Sequence, residues 1–388
     1  MKVVVTGLIG NYPLGGVAWD YLQFIKGFVA LGCQVTYLED TGQWAYDPRL
    51  ATFTEDATEN VRYLHEVLAW VPGMERSFAF RDPRGTVHGI SEAEIARRCR
   101  EADLFLNISG AAWFRDAYRG ARVSVYYDSD PLYTQAGVSS FEEEGGDEDQ
   151  ARTVGWFRAH DVYFTMAETI DDPSCMIPRC GVDWKITRQP ITLDDWPFTF
   201  DGSARSFTTV MSWKTKPALP ALGGKVYGGK DVEFRRFMSL PRRVGVPLEL
   251  ALSGPAPRDE ITREGWRVVE AAECSSTMGR YRDYIARSRG EWSIAKEAYV
   301  ATRSGWFSCR SACYLAMGKP VVVEDTGFSR VYPRGEGIFG FVTLDDAVAA
   351  IETIERDYRR QCEAARATAE RFFRAETVLE KLIRDAGL

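Results

Sequence analysis

Residues 304–327 combine the residue types that could hold a phosphate and a sugar. A small-residue loop opens a predicted helix over residues 307–317, and Gly318-Lys319-Pro320 ends it before a buried strand and an acidic turn. Free backbone N–H groups at a helix start attract an anion, and an arginine there adds a charge-assisted donor. The pattern predicts a diphosphate at the helix start and sugar hydroxyls at the turn. The expected diphosphate residues are Phe307, Ser308, Arg310 and Ser311, and the expected sugar residues are Asp325, Thr326 and Gly327.

A glycine-containing loop, residues 7–16, follows the first predicted strand and leads into a helix. It lacks the Gly-x-Gly-x-x-Gly dinucleotide fingerprint and the Gly-Lys-Ser/Thr ending of a P-loop. Gly15-Gly16 would let the backbone approach a phosphate or a sugar closely, unless these glycines only form a tight turn. Asp20 follows one turn into the helix, where it could act as a general base or as an acid that complements the helix dipole.

Two further acids, Asp128 and Asp130, come directly after a predicted strand in the segment Tyr126-Tyr127-Asp128-Ser129-Asp130-Pro131. Carboxylates spaced i, i+2 at a strand end can meet a ligand hydroxyl, a leaving group or a metal, although Asp-Pro also forms turns. We favour a catalytic role, because the strand is apolar and its end should open on a cleft. Of the three histidines, two are expected to be structural or solvated (His65 and His88), and His160 precedes its strand, at the end away from the cleft.

The elements that position these residues alternate between short apolar strands and amphipathic helices. A strand at 2–6, a helix at 17–31 and a strand at 34–38 form one β-α-β unit. Such alternation is typical of a doubly wound parallel sheet, with ligands at the carboxyl ends of the strands. Later strands of the same type are predicted at 103–108, 122–127 and 161–165. The acidic stretch Phe141–Gln150 is interpreted as an exposed loop.

The regular pattern is lost between Pro178 and Ser203 and then resumes. Strands are predicted at 207–211, 247–252 and 320–324, and Leu344–Leu388 is interpreted as two long helices. We therefore predict an N-terminal domain over 1–195, a C-terminal domain over 196–365 and a final helix over 366–388. Two such α/β halves facing each other would enclose one cleft.

Length and composition indicate a globular protein that handles a small ligand. The chain has 388 residues, enough for two domains, and its formal net charge of -7 argues against nucleic-acid binding. No segment approaches the apolar length of a membrane span, and the N-terminus lacks signal-peptide features, so a cytoplasmic protein is expected. Eight cysteines without a Cys-x-x-Cys pair suggest reduced thiols and no metal site.

The run Cys313-Tyr314-Leu315-Ala316-Met317-Gly318-Lys319-Pro320-Val321-Val322 resembles a known donor-binding helix of the Glu-Ala-Leu-Ala-x-Gly-x-Pro-Val-Val type. That helix belongs to group-1, CgeB-like glycosyltransferases. The resemblance implies an α/β fold of the GT-B architecture: two facing Rossmann-like domains with parallel sheets and a C-terminal helix that returns to the N-terminal domain. The length of the match favours ligand binding over the alternative, a plain packing unit in which Arg310 pairs with a surface acid. Many relatives carry two glutamates where this chain has Gly305 and Cys313, so ribose recognition must come from elsewhere.

The resemblance implies transfer of a sugar from a nucleoside-diphosphate sugar to a small-molecule acceptor, without a metal or another cofactor. Asp20, Asp128 or Asp130 would then deprotonate the acceptor. Fold analogy assigns Lys230, which could equally be solvated, to the leaving diphosphate. The remaining donor-site candidates are Gly15, Gly16, Ser253 and Gly254, and the acceptor-site candidates are Trp19, Trp113 and Tyr133. The base, the sugar, the acceptor, the stereochemical outcome and the oligomeric state are left open.

Two alternatives share this architecture. A sugar-nucleotide epimerase of the non-hydrolysing type would need a histidine near the donor sugar, and the scarcity of histidine disfavours it. A non-catalytic or degenerate bilobed sugar-nucleotide-binding protein is consistent with the missing glutamates. Bilobed receptors are mostly exported, however, and the lack of a signal peptide counts against that alternative.

Overall fold

The computed structural model describes residues 1–214 and 222–388. Its central strands coincide with apolar runs of the sequence. In the first half of the chain they are β1 (Lys2–Thr6), β2 (Gln34–Glu39), β3 (Ala45–Asp47), β4 (Thr52–Thr54), β5 (Phe78–Arg81), β6 (Val87–Gly89), β7 (Leu104–Ile108), β8 (Val123–Asp128), β9 (Val162–Thr165) and β10 (Trp184–Ile186). In the second half they are β11 (Phe207–Ser212), β12 (Leu248–Ser253), β13 (Arg267–Glu270), β14 (Gly290–Ser293), β15 (Val321–Glu324) and β16 (Ile338–Phe341).

The α-helices connect these strands and close the chain. The N-terminal half contains α1 (Gly15–Ala30), α2 (Thr58–Leu68), α3 (Glu92–Arg100), α4 (Tyr133–Glu144) and α5 (Glu148–Arg158). The C-terminal half contains α6 (Lys230–Phe237), α7 (Arg258–Arg263), α8 (Ala271–Ser275), α9 (Met278–Ala286), α10 (Glu297–Ala301), α11 (Cys309–Ala316), α12 (Leu344–Arg356), α13 (Tyr358–Phe372) and α14 (Ala375–Asp385). None of the helices within the described residues is both long and apolar enough to cross a bilayer.

Two separate β-sheets organise the described residues. The N-terminal sheet has the strand order β10-β9-β8-β7-β1-β2-β5-β6, and only β6 runs antiparallel to its neighbour. The C-terminal sheet has the order β13-β12-β11-β14-β15-β16, with every pairing parallel. The hairpin β3-β4 forms a third, antiparallel pair. Because parallel strands need crossover helices, both sheets are covered on their two faces.

The centre of the N-terminal sheet shows why its strands are apolar throughout. Val3 and Val5 pack into the large core cluster that includes Trp19 and Phe28 of α1, whereas Val4 joins the cluster with Ile95 of α3. Alternate residues of one strand therefore enter cores on opposite faces of the sheet. A strand buried on both faces leaves no position for a polar side chain, so its sequence is continuously apolar.

The chain crosses between the two halves twice, and the two crossings run side by side. After β10 it passes Ile191, whose N–H donates to the carbonyl of Phe373 at 2.7 Å, and Ala375 donates back to Ile191 at 3.0 Å. Trp196 is fully buried beside this bridge, and its indole N–H donates to Gln23 Oε1 at 2.9 Å. Beyond the bridge, α14 packs on α1, with Leu379 against Gly27. The expected return of the last helix to the N-terminal half, and two facing parallel-sheet halves, are confirmed.

Two segments differ from the sequence-based expectation. The acidic stretch Phe141–Gln150 is helical at both ends, because Asp147 caps α5 by accepting a hydrogen bond from the Gln150 N–H at 2.8 Å. Acids in a first helical turn complement the helix dipole, so this stretch starts a helix instead of forming only a loop. The C-terminal region contains three helices instead of two, since Asp357 separates α12 from α13 and the bridge to Ile191 separates α13 from α14.

Candidate active site

Charged side chains from both halves meet at the carboxyl ends of the two sheets. The N-terminal half contributes Asp20 from α1 and Asp130 from the loop after β8, and the C-terminal half contributes Lys230, Lys296 and Arg310. We call these five residues the interdomain charge cluster. Asp130 Oδ1 lies 3.1 Å from Lys296 Nζ, and Asp20 interacts electrostatically with both Asp130 and Arg310. Carboxyl ends of parallel strands are where open α/β sheets bind ligands, so the cluster marks the candidate site.

Arg310 lies in the first turn of α11, and partners beneath it orient its guanidinium. Its Nε donates to Glu291 Oε1 at 2.6 Å, its Nη1 to the Val210 carbonyl at 2.8 Å and its Nη2 to Ser293 Oγ at 2.6 Å. Desolvation of Arg310 works against its charge. The buried carboxylate of Glu291 nevertheless raises the pKa of Arg310 above its usual range. A guanidinium has five donor hydrogens, so two remain for a ligand. Arg310 pairs with a buried acid and not with a surface acid.

Lys230 is the first residue of α6, and no carboxylate in residues 1–214 or 222–388 forms a salt bridge with it. Burial lowers its pKa well below the usual value, and the nearby positive charges of Arg310 and Lys296 lower it further. The loop before α6 is held in place by Glu297, which accepts a hydrogen bond from the Gly228 N–H at 2.6 Å and pairs with Lys225 at 3.0 Å. A desolvated ammonium without a counter-ion is a site where an anion would be strongly stabilised.

Asp20 is the acid of the cluster that has no partner. Its side chain takes part in no hydrogen bond with a described residue, and only its backbone carbonyl accepts one, from Gln189 Nε2 at 2.8 Å. Burial and the negative charge of Asp130 raise the pKa of Asp20 to about 7, although Arg310 opposes the shift. A carboxylate with a pKa near neutrality suits a general base, because it is both deprotonated and basic enough to accept a proton.

Asp128 and Asp130 occupy different environments despite their spacing. Asp128 is buried, and its Oδ2 accepts hydrogen bonds from Gln135 Nε2 at 2.6 Å and Thr165 Oγ1 at 2.7 Å. This geometry favours a structural role for Asp128, in place of the catalytic role expected from its position after β8. Asp130 instead bridges the halves: its carboxylate accepts hydrogen bonds from Lys296 and from the Tyr299 hydroxyl. Burial works against ionisation of Asp130, but Lys296 and Tyr299 outweigh it and the pKa falls below its usual value.

The start of α11 borders a small pocket, with a cavity volume of about 20 Å³, between the ends of β14 and β15. Ser308 precedes the helix, and its side chain does not cap the helix, so the backbone N–H groups of the first turn are available to an anion. Ser311 is buried, and Phe307 packs its ring against Phe328, Tyr332 and Phe373. Only the backbone of Phe307 is therefore placed to meet a ligand.

In the acidic turn after β15, the expected sugar ligand Asp325 bonds to the turn itself. Asp325 Oδ1 accepts the Gly327 N–H at 2.8 Å and so closes the turn, while Thr326 donates to the Trp306 carbonyl at 2.6 Å. The pocket is lined by Thr326 and by Glu324, whose Oε2 accepts the Ala295 N–H at 3.1 Å. Burial, followed by the neighbouring Glu233, raises the pKa of Glu324 to about 9. Arg236, whose Nη1 donates to Glu324 Oε1 at 3.2 Å, opposes this shift.

The glycine pair at the start of α1 faces the opposite half of the molecule. A Cβ on Gly15 would overlap the carbonyl of Thr277, with the carbonyl carbon only 2.6 Å away, and a Cβ on Gly16 would lie 3.2 Å from the Tyr281 ring. Glycine is needed at residue 15 because the backbones of α1 and α9 meet there. Close contact between the halves therefore explains this pair without a phosphate.

The remaining candidates are divided between the cleft and the packed interior. Trp19 is completely buried, and its indole N–H donates to the Met278 carbonyl at 3.0 Å, so it has no free surface for an acceptor. Tyr133 lies at the cleft, with Lys296 Nζ 4.4 Å from its ring centroid. Trp113 covers Gly42 and stacks with Trp156 on the N-terminal half. Ser253 ends β12 and Gly254 follows it, and Ser253 Oγ lies 3.0 Å from Ser212 Oγ.

The sequence matches no family model and no curated protein. Solved structures match over the whole chain. AviGT4, a glycosyltransferase involved in avilamycin A biosynthesis, is 16% identical over 100% of this chain and 97% of its own, with a TM-score of 0.52. An α-glucosyltransferase in complex with UDP is 11% identical over 100% of both chains, with a TM-score of 0.58. HepE from Anabaena, in complex with UDP and glucose, is 14% identical over 100% of this chain and 99% of its own, with a TM-score of 0.56.

These matches extend over both halves of the chain. The chain has the GT-B fold. In GT-B terms, the interdomain charge cluster lies in the cleft between the two Rossmann-like halves, where the carboxyl ends of both sheets face each other. At sequence identities of 11–16%, the similarity to these proteins is a similarity of fold.

Several residues of the GT-B cleft were not found by sequence reasoning. Lys296 and Tyr299 hold Asp130 from the opposite half, and Glu291 with Ser293 orient Arg310. Glu291 had one available signal, an acid inside an otherwise apolar strand, which requires a buried cation as partner. Lys296 comes three residues after the end of that strand, so its position near a carboxyl end was a second signal.

Proposed function

We propose that this chain is a metal-independent glycosyltransferase that moves a sugar from a nucleoside-diphosphate sugar to a small-molecule acceptor. The observation that carries the proposal is the interdomain charge cluster, in which Lys230 interacts electrostatically with Arg310 at the start of α11, and Arg310 interacts with Asp20. Two cations and a helix start form a site for a diphosphate. An unpartnered carboxylate opposite them is where an acceptor would lose its proton.

The proposed reaction assigns a task to each group. As the bond between the sugar carbon and the diphosphate oxygen breaks, negative charge grows on that oxygen, and Arg310 and Lys230 stabilise it. The acceptor hydroxyl attacks the sugar carbon, and its proton passes to Asp20 as the new glycosidic bond forms. The products are the glycoside and the nucleoside diphosphate. This assignment applies to an inverting reaction, and it needs no metal because two cations already face the leaving group.

Two findings support the choice of substrates. UDP is present in the solved structures of the α-glucosyltransferase and of HepE, so UDP is the first nucleotide to test. A related structure of the α-glucosyltransferase also contains DNA, but the formal net charge of -7 makes a small acceptor the better proposal for this chain. The run Cys313–Val322 additionally supports a place among group-1, CgeB-like enzymes.

Calorimetric titration with UDP, GDP, TDP and ADP, in EDTA, tests the donor site. One diphosphate should bind, and Arg310→Ala should weaken it about 10- to 100-fold, as expected for lost charge-assisted hydrogen bonds. Arg310→Lys and Lys230→Ala serve as second variants, because removal of Arg310 leaves Glu291 buried without its partner. Arg243→Ala, which removes an exposed arginine paired with Asp345 at 3.0 Å, is the matched control. Absence of binding by every diphosphate would overturn the proposal.

Lys230 should take up a proton when UDP binds. In the free protein the lowered pKa makes this amine lose its proton at lower pH than an ordinary lysine, and a bound diphosphate raises the pKa again. Affinity for UDP should therefore fall as the pH rises through the lowered pKa. Titrations across a series of pH values, each in two buffers of different ionisation enthalpy, measure the proton uptake. Lys230→Arg keeps the charge without titrating and should abolish it; equal uptake by this variant would assign the proton to another group.

A further inference from the structure

An aromatic surface lies beside the cleft, outside the interdomain charge cluster. It consists of Tyr12 from the loop after β1 together with Trp44, Tyr46 and Phe53 of the β3-β4 hairpin, and we call it the aromatic platform. The ring centroids of Tyr12 and Tyr46 are 6.0 Å apart, those of Tyr12 and Phe53 5.8 Å, and those of Tyr46 and Phe53 5.4 Å. The rings therefore form one continuous group.

The hairpin places these rings on one face. Tyr46 and Phe53 are direct partners in the antiparallel register, so both side chains project from the same face of the hairpin. Trp44 comes directly before β3, two residues from Tyr46. Trp44 and Phe53 are 54% and 44% exposed, so the face is open to solvent. Exposed large aromatic side chains concentrated on one short hairpin are typical of a binding surface.

Hydrogen bonds hold the platform against the loop that leads into α1. The Tyr46 N–H donates to the Asn11 carbonyl at 2.9 Å, and Asn60 Nδ2 donates to the carbonyls of Gly10 at 2.7 Å and Tyr46 at 3.0 Å. Glu39 accepts hydrogen bonds from the N–H groups of Gly10 and Asn11. The rings are thus held rigidly and need little ordering when a ligand binds.

The chain also brings the platform close to Asp20. Gly15, the first residue of α1, is three positions after Tyr12, and Asp20 lies five residues further along that helix. Chain reach limits the distance between the Cα atoms of Tyr12 and Asp20 to about 18 Å. A ligand a few rings long is therefore long enough to span from the platform to Asp20.

The groups around the rings favour a neutral, hydroxyl-rich ligand. Gln43 and Thr52 offer exposed, uncharged polar groups, and Arg49 is paired with Asp47 of the same hairpin at 3.1 Å. Next to Tyr12, the buried Asn11 Nδ2 has no hydrogen-bond partner in the described part of the chain, as expected of a donor awaiting an acceptor oxygen. Aromatic faces that stack on the C–H faces of a sugar ring, with neutral donors at the edges, match a saccharide.

We infer that the aromatic platform binds the acceptor and that the acceptor is a saccharide of two or more rings. This inference rests on the proposed function, since it identifies the acceptor class of the same reaction. The non-reacting rings stack on Trp44 and Phe53, and the terminal hydroxyl reaches Asp20. The platform therefore contributes to acceptor affinity without contacting the donor.

Saturation-transfer NMR and titration with glucose, maltose, cellobiose, lactose and chitobiose, each in the presence of UDP, test the inference. At least one disaccharide should bind more tightly than glucose, and Trp44→Ala and Phe53→Ala should each weaken it at least about 10-fold, the loss expected for one stacked ring. Phe198→Ala is the matched control, because Phe198 is 40% exposed outside the platform, and it should leave saccharide affinity unchanged. UDP affinity should be unchanged in all three variants.

The same titrations distinguish failure of the proposed function from failure of the saccharide inference. If UDP fails to bind the unmodified protein, the proposed function fails. If UDP binds but no disaccharide does, or if the platform variants bind disaccharides as tightly as the unmodified protein, the saccharide inference is overturned and the proposed function stands. Preferential binding of p-nitrophenol over every disaccharide would also overturn it, in favour of an aromatic acceptor.

Discussion

Asp20→Asn should lower kcat for glycosyl transfer by about 10²–10⁴-fold while leaving UDP affinity within twofold. The amide keeps the shape of the side chain but cannot accept a proton from the acceptor. Donor binding should persist because Arg310 and Lys230, which are proposed to hold the diphosphate, lie in the opposite half of the molecule. Steady-state kinetics with UDP-glucose and a saccharide acceptor, together with calorimetry of UDP, measure the two effects separately.

The pH dependence gives an independent test of the same residue. Because the pKa of Asp20 is raised to about 7, the base is increasingly protonated below neutrality, and kcat/KM should fall tenfold for each unit of pH below that point. The acid limb should disappear in Asp20→Asn. Asp116→Asn, at an acid that is 95% exposed, is the control and should keep both the rate and the profile. An Asp20→Asn enzyme with more than a tenth of the original kcat would remove Asp20 from the role of base.

Gly15→Ala should destabilise the protein by about 1–3 kcal/mol and sharply reduce turnover. The new methyl group would enter the space of the Thr277 carbonyl, and both contacting segments are backbone, so neither can rotate away as a side chain could. The halves must separate at the junction of α1 and α9, which moves Asp20 relative to Arg310. Thermal unfolding and steady-state kinetics on the same preparation measure the two losses.

Gly137→Ala provides a matched substitution in a helix of the same half. A Cβ at Gly137 meets nothing within 4 Å, so alanine should stabilise α4 by about 0.5–1 kcal/mol through helix propensity alone. Opposite signs at the two glycines would establish contact between the halves as the cause. A Gly15→Ala protein of unchanged stability would show that the two backbones are free to move apart.

The architecture could be predicted because its signals are local. β1 is a continuous apolar run ended by a glycine loop, and the prediction matches the structure at both ends of this strand. β11 and β12 begin and end within one residue of the predicted bounds, since strands buried on both faces have few polar positions. The capping pattern at Asp147 was equally local, and it was missed because the surrounding acids suggested a solvated loop.

The site could be predicted less well because its contacts join distant parts of the chain. Asp130 and Lys296 are 166 residues apart, and no periodicity relates them. The Gly15 contact with Thr277 depends on how the two halves face each other, which no local pattern encodes. Asp325 and Glu324 are adjacent in sequence, and only the orientation of the last residue of β15 decides which acid faces the pocket.

The return of α14 to α1 has a consequence for the order of events during synthesis. The ribosome releases the N-terminal half first, yet the surface of α1 at Gly27 is contacted by Ala375 and Leu379, which follow the C-terminal half in the chain. Until those residues emerge, the nascent N-terminal half exposes this apolar surface. Its completion therefore waits until α14 has been synthesised, and both halves reach their final state together.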